Sequence, residues 1–480
     1  MMAAATTCAD DGVRDRLPLP RFARPVGILG LARTGAAARA ALLAAGNRVR
    51  VHDDRAVVLK DLPTAERLAL AAIAELDRLL VSPGVPVRGE ATHPFVQAAR
   101  AAHVPVIGDL DLFAQAAERL PAHHVIGITG TNGKSTTTAL IAHLVTTAGR
   151  PSVAAGNIGR PILALAPLAA GGVYVFELSS FQLDLVGDEA ALDVAVLLNI
   201  TPDHLDRHGG MASYVAAKRR IVDLARRRAG RIVLSLESAV TRRLQDELTG
   251  ADVLAVGIAP RRPVAVAVTE EGRLVDYAFE GGREIGALAP LARLQGRHNW
   301  ENAAAAYTAA RLVGLDVDQA WTGLTTFPGL AHRQELVARI AGVSFVNDSK
   351  ATNLEAAARA LAAFHRVHWL AGGRAKSADF APVRPYLGHV RAAWLFGECA
   401  PLFAAALDGD VPTRRYETLA EALEAATAAA EPGDVVLLSP GAASFDRYRD
   451  FEERGEDFRR LVEERAARRQ KTKSEEGRES

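Results

Sequence analysis

The sequence predicts an α/β protein of three domains: a Rossmann-like N-terminal domain, a central P-loop ATPase-type domain with a mostly parallel sheet, and a Rossmann-like C-terminal domain. Three observations lead there. The chain has 480 residues, about three domains at roughly 150 residues each. Short apolar runs alternate with Ala/Leu-rich helical stretches from residue 26 onward, the pattern of parallel strands covered on both faces. Glycine-rich turns follow two of these runs, at the strand ends where open parallel sheets gather their ligands. The boundaries read as 1–115, 116–328 and 329–465, with 1–24 and 466–480 as polar, aperiodic, flexible ends.

The elements follow in order. A run from Val26 enters Gly30-Leu31-Ala32-Arg33-Thr34-Gly35, then an alanine-rich helix and a strand, Arg48–His52, ending at Asp53. The next unit opens with Val125–Ile128, a glycine-rich loop and helical Ala139–Ala148, followed by strand-like Val173–Phe176 and Val194–Ile200. After Phe327-Pro328-Gly329 come Ser344–Val346, Val367–Ala371, Ala392–Phe396 and Val435–Leu438. No repeat at solenoid periods is present.

Composition narrows the function. The chain is 49% hydrophobic and 24% charged, which is globular and too apolar for disorder. With 57 basic against 56 acidic residues it has no polybasic field, so no nucleic-acid partner is expected. Cys8 and Cys399 match no metal spacing. No run of about 18 apolar residues is available to span a membrane, and Asp10, Asp11 and Asp15 stand where a secretory leader would be apolar. A cytoplasmic protein is expected.

The motif that carries chemistry most clearly is Thr129-Gly130-Thr131-Asn132-Gly133-Lys134-Ser135-Thr136, between a strand and a helix. Backbone amides of such a loop, with the helix N-terminus, cradle phosphates; the lysine reaches the outer phosphates and the next hydroxyl reaches Mg²⁺. The strict pattern departs at Ile128, where a first glycine would stand. Glu177 and His204 end the next two strands, and a carboxylate and an imidazole beside a phosphate loop suit Mg²⁺ shared with phosphate oxygens. Gly30–Gly35 is a weakened dinucleotide turn, with Ala32 at its middle glycine and Asp53 about 20 residues on, where a ribose-reading acid belongs.

Lysine usage adds an independent signal. Only seven of the 57 basic residues are lysine, and between residues 61 and 470 only Lys134, Lys218, Lys350 and Lys376 remain. All four lie at or near the ends of strands. A chain that uses arginine wherever any cation serves keeps lysine where a compact or neutralisable amine is needed. Asn347-Asp348-Ser349-Lys350-Ala351-Thr352-Asn353 closes a strand and opens a helix, with Thr352 or Ser349 as the expected N-cap.

With these residues in place the sequence resembles the Mur ligases over about residues 26 to 465, and among them those that add glutamate. The motifs are Thr129–Thr136, Gly156–Gly159, Glu177–Gln182, Asn199–Arg207, Tyr214–Lys218, His298–Asn302, His332-Arg333, Asn347–Asn353, Lys376–Phe380 and Ser439–Phe458. The resemblance implies ATP as co-substrate and Mg²⁺, with UDP-N-acetylmuramoyl-L-alanine and glutamate as substrates, in a monomer. It places ATP on Gly130–Thr136, with Asn302 at the adenine and Arg333 and Asp348 around the nucleotide. Ser135, Glu177, His204 and Lys218, the last as a carbamate, would surround the metal. Arg33, Thr34, Asp53, Asp54, Arg55, Ser82 and Gly84 would face the uridine diphosphate, and Asn157 and His204 the muramoyl-alanine end. Lys350, Thr352, Lys376, Ser444 and Phe451 would receive glutamate, preferentially the D-isomer. The chain departs from the family's pattern at Ala155 and at Gly441-Ala442-Ala443, small-for-small changes that leave activity expected. Three rivals share parts of the signal: a folylpolyglutamate-type ligase, a nicotinamide oxidoreductase reading Gly30–Asp53, and an NTPase switch. The first needs no nucleotide-like turn in the first domain, and the second leaves Lys134 and Lys350 without work.

Overall fold

In the computed structural model, residues 16–479 are described, except Glu90, Thr249, Ala251, Ala292, Gln295 and Lys376–Ala378. The chain divides into two compact units, Met1–Pro328 and Gly329–Ser480. Each alternates strands and helices as the sequence predicts, and the first holds two sheets.

The N-terminal sheet has four parallel strands in the order Val49–His52, Val26–Leu29, Arg78–Val81, Val106–Ile107. Its two central strands, Val26–Leu29 and Arg78–Val81, are short and almost wholly buried, whereas the edge strand Val49–His52 alternates. The expectation of a flexible end at 1–24 fails for residues 16–24. Leu17 and Leu19 are buried in the core, and the Asn47 side chain ties this segment down, donating to the Pro20 carbonyl and accepting the Phe22 amide. A Pro-rich stretch with two leucines reads as polar tail, yet it needs only those two side chains to dock. The remainder of that segment, 1–15, lies outside the described residues.

The central sheet has nine strands. Seven are parallel, and the sheet ends in an antiparallel ribbon, Val266–Val268, Arg273–Asp276 and Arg283–Ala287. His123–Thr129 lies between Gly172–Glu177 and Val194–Leu197. Its register sets Ile128 beside Glu177 and Thr129 beside Leu197, while Gly156 on the next strand also pairs with Glu177. This register brings the ends of four strands to one edge of the sheet. Helix Lys134–Thr147 covers one face, packed by Arg297–Leu312, whose run of alanines lets it approach closely. Helix Met211–Arg226 packs against Val194–Leu197 and helix Ser180–Leu185.

The second unit has one sheet of six strands. Val343–Asn347, Val435–Leu438, Val367–Gly372, Val390–Phe396 and Thr413–Tyr416 are parallel, and Glu335–Ile340 is an antiparallel edge. Asn347 and Leu370 both pair with Leu438, which gathers three strand ends together. The predicted caps Thr352 and Ser349 do not cap the next helix. Asn353 does, its side chain accepting the Ala356 amide at 2.8 Å, because it stands immediately before Leu354–Ala363. The expectation of a flexible tail at 466–480 is also corrected, since helix Phe451–Glu479 runs through it. Residues 451–479 are rich in Glu, Arg and Lys, all good helix formers, and pairs such as Arg460–Glu464 support the helix surface. No helix among the described residues is long and apolar enough to cross a membrane.

Candidate active site

The phosphate loop is built by close approach. Gly133 has φ of 83°, and a Cβ there would lie 2.2 Å from the Asn302 side chain, so both backbone and space require glycine. Asn302, read in the sequence for the adenine, is buried against this loop and accepts from the Thr137 hydroxyl at 3.3 Å. Asn199 holds the loop from the neighbouring strand end. Its carbonyl accepts the Thr131 amide at 2.7 Å and its side-chain oxygen the Asn132 amide at 3.0 Å. Its amide in turn donates to buried Glu301, which also accepts from Ser235 at 2.7 Å. Burial pushes the Glu301 carboxyl up. Asn199 and Glu301 fall inside the motifs Asn199–Arg207 and His298–Asn302 but receive no individual role there, and Ser235, a polar residue ending a strand, lies outside every motif. Ser135 and Thr136 stand in the first turn of helix Lys134–Thr147, where amides lack intrahelical partners and favour anions.

Two lysines meet at this loop. Lys134 Nζ donates to the carbonyls of Gly130 at 3.0 Å and Thr131 at 2.8 Å. Lys218 is 2% exposed and donates to the same Gly130 carbonyl at 2.7 Å, with its ammonium 4.7 Å from the Tyr214 ring centre. Burial, reinforced by Lys134, pushes the Lys218 amine down to about 7, against the opposing pull of Asp203 and Glu177. Lys218 is therefore not a solvated surface cation.

Glu177 is buried at the end of its strand. Oε1 accepts from Asn157 at 2.7 Å, while Oε2 is buried with no hydrogen-bond partner. An orphaned carboxylate oxygen of this kind is costly unless something binds it, and a hard divalent cation prefers such oxygen donors. The residues present therefore fit Mg²⁺. His204 is about half exposed, in a left-handed conformation with φ of 51°, and 3.5 Å from Asp203. The neighbouring His208 is buried instead, stacked on Phe181.

At the N-terminal sheet, Asp53 accepts the Leu31 amide at 2.7 Å and a bidentate pair of bonds from Arg55. These bonds, led by the one from Arg55, hold its carboxyl far below the usual range. Asp53 thus fixes the turn, and Ser82 ties in by donating to the Gly30 carbonyl at 2.6 Å. Arg33 reaches the Gly159 carbonyl and Arg207 the Gly84 carbonyl, so this turn and the central strand ends meet. Asp54 accepts from His93, whose Nδ1 takes the Phe95 amide and so leaves its proton on Nε2, 3.1 Å from Asp54. His52 Nε2 lies 3.4 Å from the same oxygen.

In the second unit the Lys350 ammonium lies 5.4 Å from the Phe451 ring centre. Its backbone amide donates to His332, and that carbonyl and the Ser349 hydroxyl bond to Phe451 fix the loop. Gly455 admits the His332 ring, which a Cβ would meet at 2.2 Å. Asp348 is buried, accepting from the Ser439 hydroxyl at 2.8 Å, and burial pushes it up to about 7. Ser444 is buried on the adjacent loop, Thr352 is half-buried and Arg333 exposed. Lys376 lies outside the described residues. Arg454, which lies in the Ser439–Phe458 motif without an assigned role, is fully buried beneath these loops.

A phosphate loop flanked by a buried carboxylate and a buried lysine defines the first unit as that of a nucleotide-using enzyme; in the second unit, taken by itself, Lys350 stands at a strand end. Residues 128–310 match the Mur ligase middle domain, and residues 332–441 match the Mur ligase glutamate ligase domain. The chain belongs to the Mur ligase family. It is 45% identical to the UDP-N-acetylmuramoylalanine–D-glutamate ligase of Sphingopyxis alaskensis, covering 92% of this chain and 97% of that one. It is 43% identical to the ligase of the same name from Rhodospirillum rubrum, covering 93% and 96%. The solved UDP-N-acetylmuramate–alanine ligase from Thermotoga maritima shares the fold, with a TM-score of 0.55 at 16% identity over 92% of this chain and 99% of that one.

Proposed function

We propose that this chain is an ATP-dependent ligase joining the amine of D-glutamate to the alanine carboxylate of UDP-N-acetylmuramoyl-L-alanine, a cytoplasmic step of peptidoglycan precursor synthesis. The observation that carries this reading is identity of 43–45% to D-glutamate ligases over more than nine tenths of both chains. The domains would be 1–115 for the UDP substrate, 116–328 for ATP and 329–465 for glutamate.

A free carboxylate is a poor acyl donor, because its leaving group would be an oxide. ATP therefore transfers its γ-phosphoryl group to the alanine carboxylate, giving an acyl phosphate and ADP. The glutamate amine attacks the acyl carbon, and phosphate leaves from the tetrahedral intermediate. Such chemistry asks for positioning and charge neutralisation more than covalent catalysis. Gly130–Thr136 and Lys134 would hold the phosphates. Glu177, Ser135, His204 and carbamylated Lys218 would hold Mg²⁺, which supplies charge neutralisation at the phosphoryl oxygens. Asn157, donating to Glu177, keeps that carboxylate oriented. Lys350, over Phe451, would pair with a glutamate carboxylate, with Thr352, Ser444 and Lys376 completing that site. Arg333 and Asp348 would contact the nucleotide, and Arg33, Thr34, Asp54, Arg55 and Gly84 the uridine diphosphate.

The test is ADP release with UDP-N-acetylmuramoyl-L-alanine and each glutamate enantiomer. Turnover with D-glutamate and none with L-glutamate is expected. Turnover confined to L-glutamate would overturn the stereochemical assignment, and turnover only with a pteridine acceptor would overturn the ligase's substrate class.

A further inference from the structure

We propose that the N-terminal and central lobes of the first unit form a binding pocket for a small oxyanion of the phosphate class, built by Arg88, Arg100 and Arg220 around Asp184. The three arginines come from separate elements. Arg88 follows the Ser82–Gly84 turn, Arg100 closes helix Pro94–Ala101, and Arg220 lies on helix Met211–Arg226. All three line one cavity of about 300 Å³, walled by Val104 and Val106. That volume stands at the small end of ligand sites, and suits a tetrahedral anion better than a nucleotide.

The charge in the pocket is unbalanced. Three guanidinium groups face a single carboxylate. Asp184 gives Oδ1 to Arg88 at 3.2 Å. Arg220 spends its bonds on two carbonyls, Asp184 and Val186, neither of which carries charge. The Arg100 side chain has no hydrogen bond or ion pair among the described residues. Burial first, and then the neighbouring Arg88, push the Arg220 guanidinium down against the opposing pull of Asp184. Guanidinium forks match the oxygens of phosphate and bind them by charge-assisted bonds.

The pocket is wired to the candidate active site. Oδ2 of Asp184 lies 3.5 Å from Nδ1 of His208, and Nε2 of His208 lies 2.9 Å from the Ser180 hydroxyl. Ser180 begins the helix that follows the Glu177 strand end. An anion that draws Arg88 away leaves Asp184 to His208 alone. The proposal itself rests on the pocket and is independent of the ligase reading.

The experiment fills the nucleotide site first. Inorganic phosphate is titrated calorimetrically into the full chain saturated with Mg²⁺ and a non-hydrolysable ATP analogue, at ionic strength held constant with chloride. One saturable phosphate per chain is expected, weakened about tenfold or more in Arg88→Gln/Arg100→Gln while analogue binding is unchanged. Should that double variant fail to bind the analogue, exposed Arg100→Gln alone is read, with a severalfold loss expected. Tungstate soaked into crystals should appear between the arginines. Phosphate affinity unaltered by either variant, no saturable binding, or tungstate only elsewhere overturns the proposal.

Discussion

The Lys218 ammonium lies 2.7 Å from the Gly130 carbonyl oxygen, which Lys134 also contacts at 3.0 Å. A buried and a half-buried amine on one carbonyl cannot both hold their protons cheaply, and the buried Lys218 yields, its pKa falling to about 7. Near neutral pH a substantial share of this amine is therefore nucleophilic toward CO₂. Carbamylation converts the cation into an anion with oxygen donors for Mg²⁺. Lys218→Arg keeps the charge but cannot lose it. Its turnover is expected to fall about 10²-fold or more, the scale of losing a charge-stabilising group. Lys218→Ala should be inactive and partly restored by added acetate, and wild-type activity should rise as pH passes through about 7. Near-normal turnover in Lys218→Arg counts decisively against the carbamate.

Glu177 supplies a second, separable prediction. Its unpartnered Oε2 is a liability to folding that a metal would relieve. Glu177→Gln removes the charge while keeping an acceptor for Asn157. Thermal stability without metal should hold or rise, yet the Mg²⁺ concentration needed for half-maximal activity should increase about tenfold or more. An unchanged Mg²⁺ requirement would remove Glu177 from the metal site.

Glu177 was legible because it ends an apolar run that announces a strand end, and Lys218, inside helix Met211–Arg226, because lysine is scarce. Arg78–Val81, Arg231–Ser235 and Thr413–Tyr416, which open on or carry charged or polar residues, were not legible as strands. Parallel strands such as Gly172–Glu177 and Val435–Leu438 were legible because burial on both faces makes them nearly continuously apolar. The antiparallel ribbon was not: Arg273–Asp276 and Arg283–Ala287 are short and begin with charged residues. Glu301 was hidden among alanines whose meaning depends on a partner helix. Arg454 was hidden by abundance, one arginine among many in the C-terminal segment. Leu17 and Leu19 were missed because docking two side chains leaves no periodicity to read.

Asp348 predicts a pH effect on stability. Its folded pKa, about 7, lies above the ordinary 3.8. The folded state therefore binds more protons than the unfolded state between about pH 4 and pH 7, and stability falls as pH rises through that window. Asp348→Asn should flatten the fall by on the order of 2–4 kcal/mol between pH 5 and pH 8. Denaturant midpoints of both proteins at the two pH values measure it; parallel pH profiles would show that Asp348 is not the group responsible.

Lys350 is expected to discriminate between substrates. Its ammonium lies 5.4 Å from the Phe451 ring centre, and in the proposed function it pairs with a glutamate carboxylate. Lys350→Ala should raise the KM for glutamate far more than that for ATP, by an amount equivalent to about 2–5 kcal/mol. Equal KM values for glutamate in the variant and wild type would place the amino-acid site elsewhere.

Arg454 is expected to act through the loops it holds. Its guanidinium donates to the Ser349 hydroxyl and carbonyl, both at 3.0 Å, to the Gly372 carbonyl at 3.3 Å and to the Ala442 carbonyl at 3.1 Å. One side chain thus ties together the loops that carry Lys350 and Ser444. Burial without a bonded carboxylate pushes it down to about 10, still charged at neutral pH. Truncation leaves buried carbonyls unsatisfied, so Arg454→Met should destabilise the second unit by about 3 kcal/mol. Lysine has the charge but not the fork, and cannot reach three loops at once. Arg454→Lys is therefore expected to remain folded at low temperature, with a glutamate KM raised severalfold and an ATP KM nearly unchanged. Denaturation curves read the first effect and initial rates the second. If Arg454→Lys matches wild type in both, the guanidinium geometry is not what positions these loops.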